Sequence, residues 1–217
     1  MPITRISLSE QARDALLESI VSGKLAAGTR LTEEYLSSEF GISRTPVRDA
    51  LSRLESDGLI ERLPKRGYQV KQLDAQAVAE LLDCRIEVEL KILAENYTSL
   101  DQEKLLALRR ELENIDPFSP EALARARQLD DLLHNIINQC CRNRYWQDIH
   151  RKLLKQRLPF RDLRNTGSGE SINRLKNERL DLLASLIKGD KEQSLLALRK
   201  HLESGRSEIL KVMKKLD

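Results

Sequence analysis

Apolar residues recur every three or four positions along most of the chain, which is the spacing of one face of an α-helix. Turn and cap residues divide this pattern into separate elements. In the first third of the chain the pattern predicts three helices followed by two strand-like segments, at residues 9–21, 32–41, 43–57, 59–63 and 68–70. Three helices followed by a two-stranded hairpin are typical of a winged helix-turn-helix.

After Leu73-Asp74 only long helical patterns remain, and we place them at residues 75–97, 101–113, 119–141, 144–163, 171–188 and 190–214. The change predicts two domains, a winged helix-turn-helix over residues 1–73 and an all-helical bundle over residues 74–217. The expected fold is therefore mainly α.

Composition agrees with a helical protein. The 217 residues include 33% charged residues and 4% aromatics, with only nine Gly and six Pro. No apolar run approaches the roughly 20 residues of a membrane span, and the amino terminus lacks the apolar core of a secretory signal. The three cysteines form neither an even set nor a CxxC pair, which argues against a disulfide framework and a zinc finger. We expect a cytoplasmic protein.

The third predicted helix carries side chains suited to DNA. Arg44 and Arg48 are four residues apart, so they share a helix face, and arginine bonds guanine in the major groove. Ser43 and Thr45 can bind phosphates. At the tip of the hairpin, Lys65 and Arg66 can reach the DNA backbone or minor groove, and Gly67 permits close approach.

Charge alone does not predict a DNA partner. Residues 1–74 hold eleven Lys or Arg and eleven Asp or Glu, so any affinity must come from positioned charges. Scattered, solvated arginines are the alternative interpretation of the third helix. That alternative leaves unexplained a hairpin tip in which residues 62–71 contain four basic residues and no acid.

In the helical half, polar side chains fall inside apolar stripes on four helices. The residues in question are Arg85 and Glu89, Asp130 and His134, Arg179, and His201. Buried unpaired charge is costly, so these groups are expected to converge on a polar pocket. Simpler alternatives are an Arg85–Glu89 ion pair at the bundle edge and histidines satisfied within the core. His150 lies among basic residues, and we expect it on a solvated face.

Residues 8–71 resemble the DNA-binding domain of the GntR family of bacterial transcription regulators. The segments that carry the resemblance are Gly28-Thr29-Arg30-Leu31, Ser43-Arg44-Thr45-Pro46-Val47-Arg48 and Gly58-Leu59-Ile60. The resemblance implies that Arg44 and Arg48 contact operator bases, that Ser43 and Thr45 bind phosphates, and that the Arg66-Gly67 wing lies over the minor groove. It also implies a homodimer on a palindromic operator.

The remainder resembles the all-helical effector domain (FCD type) of the FadR-like subfamily. The residues that carry this second resemblance are Arg85-Ile86-Glu87, Asp130, His134, Asn143, Gly189-Asp190 and His201. Many members hold a divalent metal with one Asp and three His, and the matching positions here are Asp130, His134, Arg179 and His201. Arginine cannot ligate a metal, because the guanidinium has no free lone pair. The resemblance therefore favours a metal-free pocket in which Arg85 and Arg179 bind a carboxylate, with a three-ligand zinc or nickel site as the alternative.

The expected function is a DNA-binding transcription regulator whose operator affinity responds to a small carboxylate metabolite. A metal hydrolase using Asp130, His134 and His201 is one alternative, and an architectural DNA-binding dimer that senses nothing is another. The sequence contains no nucleophile elbow, phosphate-binding glycine loop or HExxH motif, so we expect no enzyme.

Overall fold

The computed structural model describes residues 6–64, 67–160 and 168–215. The chain divides into two compact units, which we call the N-terminal unit (residues 1–77 and 154–160) and the C-terminal unit (residues 78–153 and 161–217). A domain boundary at residues 73 and 74 stays a prediction. In the described part of the chain no helix is both long and apolar enough to cross a membrane.

The N-terminal unit contains the predicted winged helix-turn-helix. Its elements are α1 (Leu8–Val21), β1 (Arg30–Leu31), α2 (Glu33–Phe40), α3 (Arg44–Asp57), β2 (Ile60–Arg62) and β3 (Tyr68–Val70). The side chain of Thr32 caps α2, which ends at Gly41, and α3 ends at Gly58. Both glycines adopt the left-handed conformation that commonly ends a helix.

The sheet has one strand more than the sequence pattern predicts. Its order is β1-β3-β2, and β3 pairs antiparallel with both neighbours. Arg30 lies opposite Gln69, and Leu31 lies opposite Tyr68. A two-residue strand is too short to show an alternating pattern, which explains why β1 could not be predicted.

Apolar side chains from α1, α2, α3 and the three strands form the core of the N-terminal unit. The cluster consists of Leu16, Ile20, Leu31, Leu36, Val47, Leu51, Leu54, Leu59, Ile60, Tyr68 and Val70. Val47, Leu51 and Leu54 line one face of α3 and are fully buried. Burial of this face leaves the opposite face of α3, with Arg44 and Arg48, open to solvent.

The C-terminal unit is all-helical within the described residues. Its helices are α4 (Ala75–Asn96, whose first three residues belong to the N-terminal unit), α5 (Gln102–Glu113), α6 (Ala122–Gln139), α7 (Arg144–Arg157, of which residues 144–153 belong here), α8 (Gly169–Lys188) and α9 (Lys191–Met213). The sequence predicted each of them, but α7 ends at Arg157 rather than near residue 163. Ser168 and Asp190 cap α8 and α9 through side-chain hydrogen bonds. The segment between the helices predicted at residues 144–163 and 171–188 lies partly outside the described residues.

Candidate functional site

The amino-terminal turn of α3 presents its polar side chains to solvent. Ser43, Arg44, Thr45 and Arg48 are all exposed. Ser43 is the N-cap residue, yet its side chain makes no capping hydrogen bond within the described residues. Its hydroxyl is therefore available to an external acceptor. The structure places these four predicted residues on one accessible surface.

Two glutamates of α2 hold the two arginines of α3. Nε and Nη2 of Arg48 donate to the two carboxylate oxygens of Glu33 over 2.9 and 2.8 Å, a paired geometry. Nη2 of Arg44 donates to Oε1 of Glu34 over 2.6 Å. The hydrogen bond from Arg48 lowers the pKa of Glu33 below its ordinary value. Sequence analysis missed both glutamates, because spacing along one helix does not show what the next helix brings opposite.

An open groove of about 730 Å³ runs between α2, α3 and the wing. Glu34, Arg44 and Arg48 line it, and so does Arg62 of β2, which sequence analysis did not include in the site. Nη2 of Arg62 donates to the hydroxyl of Tyr68 over 2.8 Å, and its guanidinium lies 5.3 Å from the centre of that ring. The groove therefore presents three arginines on one face.

At the wing, the structure describes Gly67 but not the two residues before it. Gly67 has φ of +80°, and an added Cβ would lie 2.7 Å from the carbonyl oxygen of Leu31. Only glycine fits there without strain. Lys65 and Arg66, the predicted wing-tip contacts, lie outside the described residues.

The C-terminal unit buries the five residues predicted to form its polar pocket. Arg85, Asp130, His134, Arg179 and His201 are each at most 7% exposed. They come from α4, α6, α8 and α9 and are connected by short polar contacts. We call them, with Glu89 and Glu178, the buried polar cluster.

One half of the buried polar cluster is a closed ring of three side chains. Nε of Arg85 donates to Oε1 of Glu89 over 2.6 Å, and its Nη2 lies 2.8 Å from Nε2 of His134. Nδ1 of His134 lies 2.6 Å from Oε2 of Glu89. A guanidinium can only donate, so Nε2 of His134 accepts and its Nδ1 carries the proton.

Burial and neighbouring charge set the ionisation of this ring. Burial lowers the pKa of His134 to about 4, although Glu89 opposes the shift, so the imidazole is neutral at pH 7. Burial alone would raise the pKa of Glu89, but Arg85 and His134 together hold it well below its ordinary value. Glu89 is therefore a buried carboxylate paired with a buried guanidinium.

Asp130 is the centre of the other half of the buried polar cluster. Nε of Arg179 donates to Oδ1 of Asp130 over 2.7 Å. Nε2 of His134 and Nε2 of His201 each lie 3.8 Å from the same oxygen. Nδ1 of His201 bonds Oε1 of Glu178 over 3.0 Å, and the two imidazole rings stack with centres 5.5 Å apart.

One nitrogen of Arg179 makes no hydrogen bond within the described residues. This atom, Nη1, is buried. An unmet donor of a buried charged group costs free energy.

Three residues of the buried polar cluster also form a candidate metal site. Asp130, His134 and His201 offer ligand atoms that lie within 4.8 Å of one another. However, Nε2 of His134 already accepts from Arg85, and Oδ1 of Asp130 accepts from Arg179. A metal would have to displace Arg85 from the single lone pair of His134 Nε2, and the positive charges of both guanidiniums would stay beside it. The donor set as arranged here does not fit a divalent metal.

In the helical half, one alternative interpretation holds only in part and one expectation was wrong. The Arg85–Glu89 ion pair exists, but it is buried rather than at the bundle edge. His150 is fully buried rather than solvated, with Nε2 at 3.4 Å from Oε1 of Glu89. His150 shares its helix face with Trp146 and Leu153, which pack against the core. That spacing, rather than the basic residues beside it, was the signal for its position.

Family comparisons match both parts of the chain. The model described as bacterial regulatory proteins, gntR family, matches residues 8–70, and the FCD domain model matches residues 80–204. One relative is the BphR protein of Paraburkholderia xenovorans, described as an uncharacterized HTH-type transcriptional regulator. Its sequence is 29% identical to this chain, and the match covers 95% of this chain and 87% of the length of BphR.

Two further comparisons differ in extent. The YdhC regulator of Bacillus subtilis, also uncharacterized, is 32% identical, but the match spans 49% of this chain and 47% of the relative. This chain thus spans about half the length of that relative. The solved structure of McbR/YncC from E. coli has a TM-score of 0.77 at 22% identity, covering 98% of this chain and all of the other, which supports the shared fold.

Proposed function

Because the chain belongs to the GntR-type transcription regulators that carry an FCD domain, we propose that a small carboxylate bound in the C-terminal unit sets its affinity for an operator. In this proposal the N-terminal unit binds DNA and the buried polar cluster binds the effector. The unpartnered Nη1 of Arg179 is the observation that carries the effector assignment.

The proposed DNA contacts follow from the exposed turn of α3. Arg44 and Arg48 would contact base edges, and Ser43 and Thr45 would bind phosphates. Lys65, Arg66 and Gly67 would place the wing against the DNA backbone. As a homodimer the protein would bind a palindromic operator, whose half-sites lie roughly 34–36 Å apart for paired recognition helices.

The free donor of Arg179, rather than the net charge of the buried polar cluster, supports an anionic effector. Arg85 and Arg179 balance Glu89 and Asp130, and His134 is neutral at pH 7. Arg85 makes hydrogen bonds to both Glu89 and His134, whereas Arg179 donates to Asp130 through Nε alone. Arg179 is therefore the guanidinium that would receive a carboxylate, and Arg85 would hold the surrounding ring in place.

A metal-dependent sensor is less well supported, since Arg85 occupies the only lone pair of His134 Nε2 and the positive charge of Arg179 lies beside Asp130. The metal hydrolase and the purely architectural dimer lose support for related reasons. The hydrolase would use the same three residues, and an architectural bundle would have no use for a buried donor without a partner.

Effector binding would act by shifting populations. A ligand can change operator affinity only if it binds one arrangement of the dimer better than another. A carboxylate on Arg179 would bridge α8 to the other helices of the buried polar cluster and would favour the arrangement in which those helices are held together.

Thermal melting with a panel of mono-, di- and tricarboxylates tests the effector assignment. At least one carboxylate should raise the melting temperature of the wild type, while its amide analogue should not. Arg179→Gln should abolish the shift. Arg199→Gln, which removes an exposed arginine of α9, should keep it. An equal response of Arg179→Gln and wild type, or no response of the wild type to any member of the panel, would overturn the assignment.

A further inference from the structure

The groove of the N-terminal unit pairs each candidate base-reading arginine with a glutamate, and the two pairs differ in geometry. Glu33 binds the Nε and Nη2 edge of Arg48 with both oxygens, and its side chain is 26% exposed. Glu34 accepts one hydrogen bond from Arg44, and its side chain is 79% exposed. Glu33 is thus a fixed support, whereas Glu34 is free to turn.

The two hydrogen bonds to Glu33 leave Arg48 able to bind DNA. A guanidinium has a second edge, formed by Nη1 and Nη2, that can still donate two parallel hydrogen bonds. Arg48 can therefore contact DNA without releasing Glu33, which acts as a positioning residue.

Glu34 faces a different situation once DNA enters the groove. Arg44 gives one donor to Glu34 and can turn its remaining donors to a guanine, which leaves the second oxygen of Glu34 without a partner from Arg44. The exposed carboxylate would then lie among phosphates, which repel it, unless it accepts a hydrogen bond from a base. Only the amino groups of cytosine and adenine offer such donors in the major groove.

The two amino groups are not equivalent for a carboxylate. Adenine places its N7 acceptor beside its amino group, so a second carboxylate oxygen meets a lone pair there. Cytosine presents its N4 amino group without an acceptor on the same base, and Glu or Asp accepts from it. A carboxylate therefore favours cytosine.

We propose that Glu34 is a specificity-determining residue that accepts a hydrogen bond from cytosine N4 in the operator. Glu34 and Arg44 touch over 2.6 Å, so the cytosine lies in the same base pair as the guanine contacted by Arg44 or in the next one. This inference rests on the proposed DNA-binding function of the N-terminal unit.

Selection of binding sites from a randomised duplex library tests the inference. The wild-type site should contain one position where cytosine is preferred by about 5- to 150-fold, as expected for a good base contact. Glu34→Ala should weaken the preference at that position and leave the other positions unchanged. If both contacts fall in one base pair, Arg44 retains part of the preference there. Glu34→Gln should move it toward adenine, because a carboxamide pairs with N6 and N7 of adenine.

Glu39→Gln is the matched control, since Glu39 is exposed on the same helix and does not line the groove. Removing either charge reduces repulsion from phosphates, so a uniform rise in affinity is expected in both variants. Overturning results are a Glu34→Ala site identical to the wild-type site at every position, or a Glu34→Gln site identical to that of Glu39→Gln. If the wild type itself selects no site, the proposed DNA-binding function fails together with this inference.

Discussion

Nε of Arg179 lies 2.7 Å from Oδ1 of Asp130, and both side chains are buried. The pair joins α8 to α6 at the position where FCD-domain relatives are expected to hold a histidine and a metal. A guanidinium supplies positive charge to the aspartate and donors to a ligand, but it supplies no coordination site. This exchange is the main chemical feature that separates the buried polar cluster from a metal centre.

Arg179→His should convert the buried polar cluster into a metal site. The substitution removes the guanidinium from Asp130 and adds a third imidazole beside those of His134 and His201. Arg85 would have to release Nε2 of His134 and keep Glu89 as its partner. Elemental analysis of the variant, purified without chelator, should find about one zinc or nickel ion per chain. Imidazole nitrogens are ligands that suit both metals. Stoichiometric metal in the wild type would contradict the metal-free assignment and would make Arg179 a residue beside a metal.

Arg44→Ala and Arg48→Ala should each weaken binding to the selected operator while leaving the fold intact. Both side chains are exposed, so their loss removes no core contact. Each lost bidentate contact to guanine should cost about 5- to 150-fold in affinity. Titration of labelled operator DNA measures the effect, with circular dichroism as the control for folding. Unchanged affinity in both variants would show that α3 is not the recognition helix.

Gly67→Ala should destabilise the N-terminal unit more than Gly23→Ala. Both glycines have positive φ, at +80° and +77°, so alanine is strained at either position, at a cost of about 1–3 kcal/mol. Only at Gly67 does the new Cβ meet a backbone atom, the carbonyl oxygen of Leu31 at 2.7 Å. Urea unfolding of the two variants compares them directly. Equal losses would mean that the backbone near Gly67 accommodates a side chain.

Stability should fall as the pH is lowered from about 6.5 toward 4. In the unfolded chain His134 binds a proton below about pH 6.5, whereas in the folded protein its pKa is about 4. Between these values the unfolded state binds more protons, so acid favours unfolding, by up to about 1.4 kcal/mol per pH unit for one group. His134→Gln should show a shallower pH dependence in urea unfolding over this window. Identical slopes would show that His134 does not titrate in this way.

Much of the fold could be predicted from local pattern. A helix needs only a period of 3.6 residues and suitable ends, and Thr32, Gly41 and Gly58 mark the ends of α2 and α3 in the sequence. The same period identified Arg85 and Arg179 as inward-facing, since residues on one helix face share one environment. The two-residue strand β1 has no such pattern, because it exists only through its pairing with β3.

Which polar side chains form hydrogen bonds with one another depended on tertiary structure. Asp130 and Arg179 are 49 residues apart in sequence, as are Arg85 and His134. Helix periodicity states which face a residue occupies but not which side chain of another helix lies opposite, because that depends on how the helices pack. The pairing of Glu34 with Arg44 required the packing of α2 on α3 for the same reason. Sequence determined which residues could do chemistry, and the packing of helices determined which of them meet.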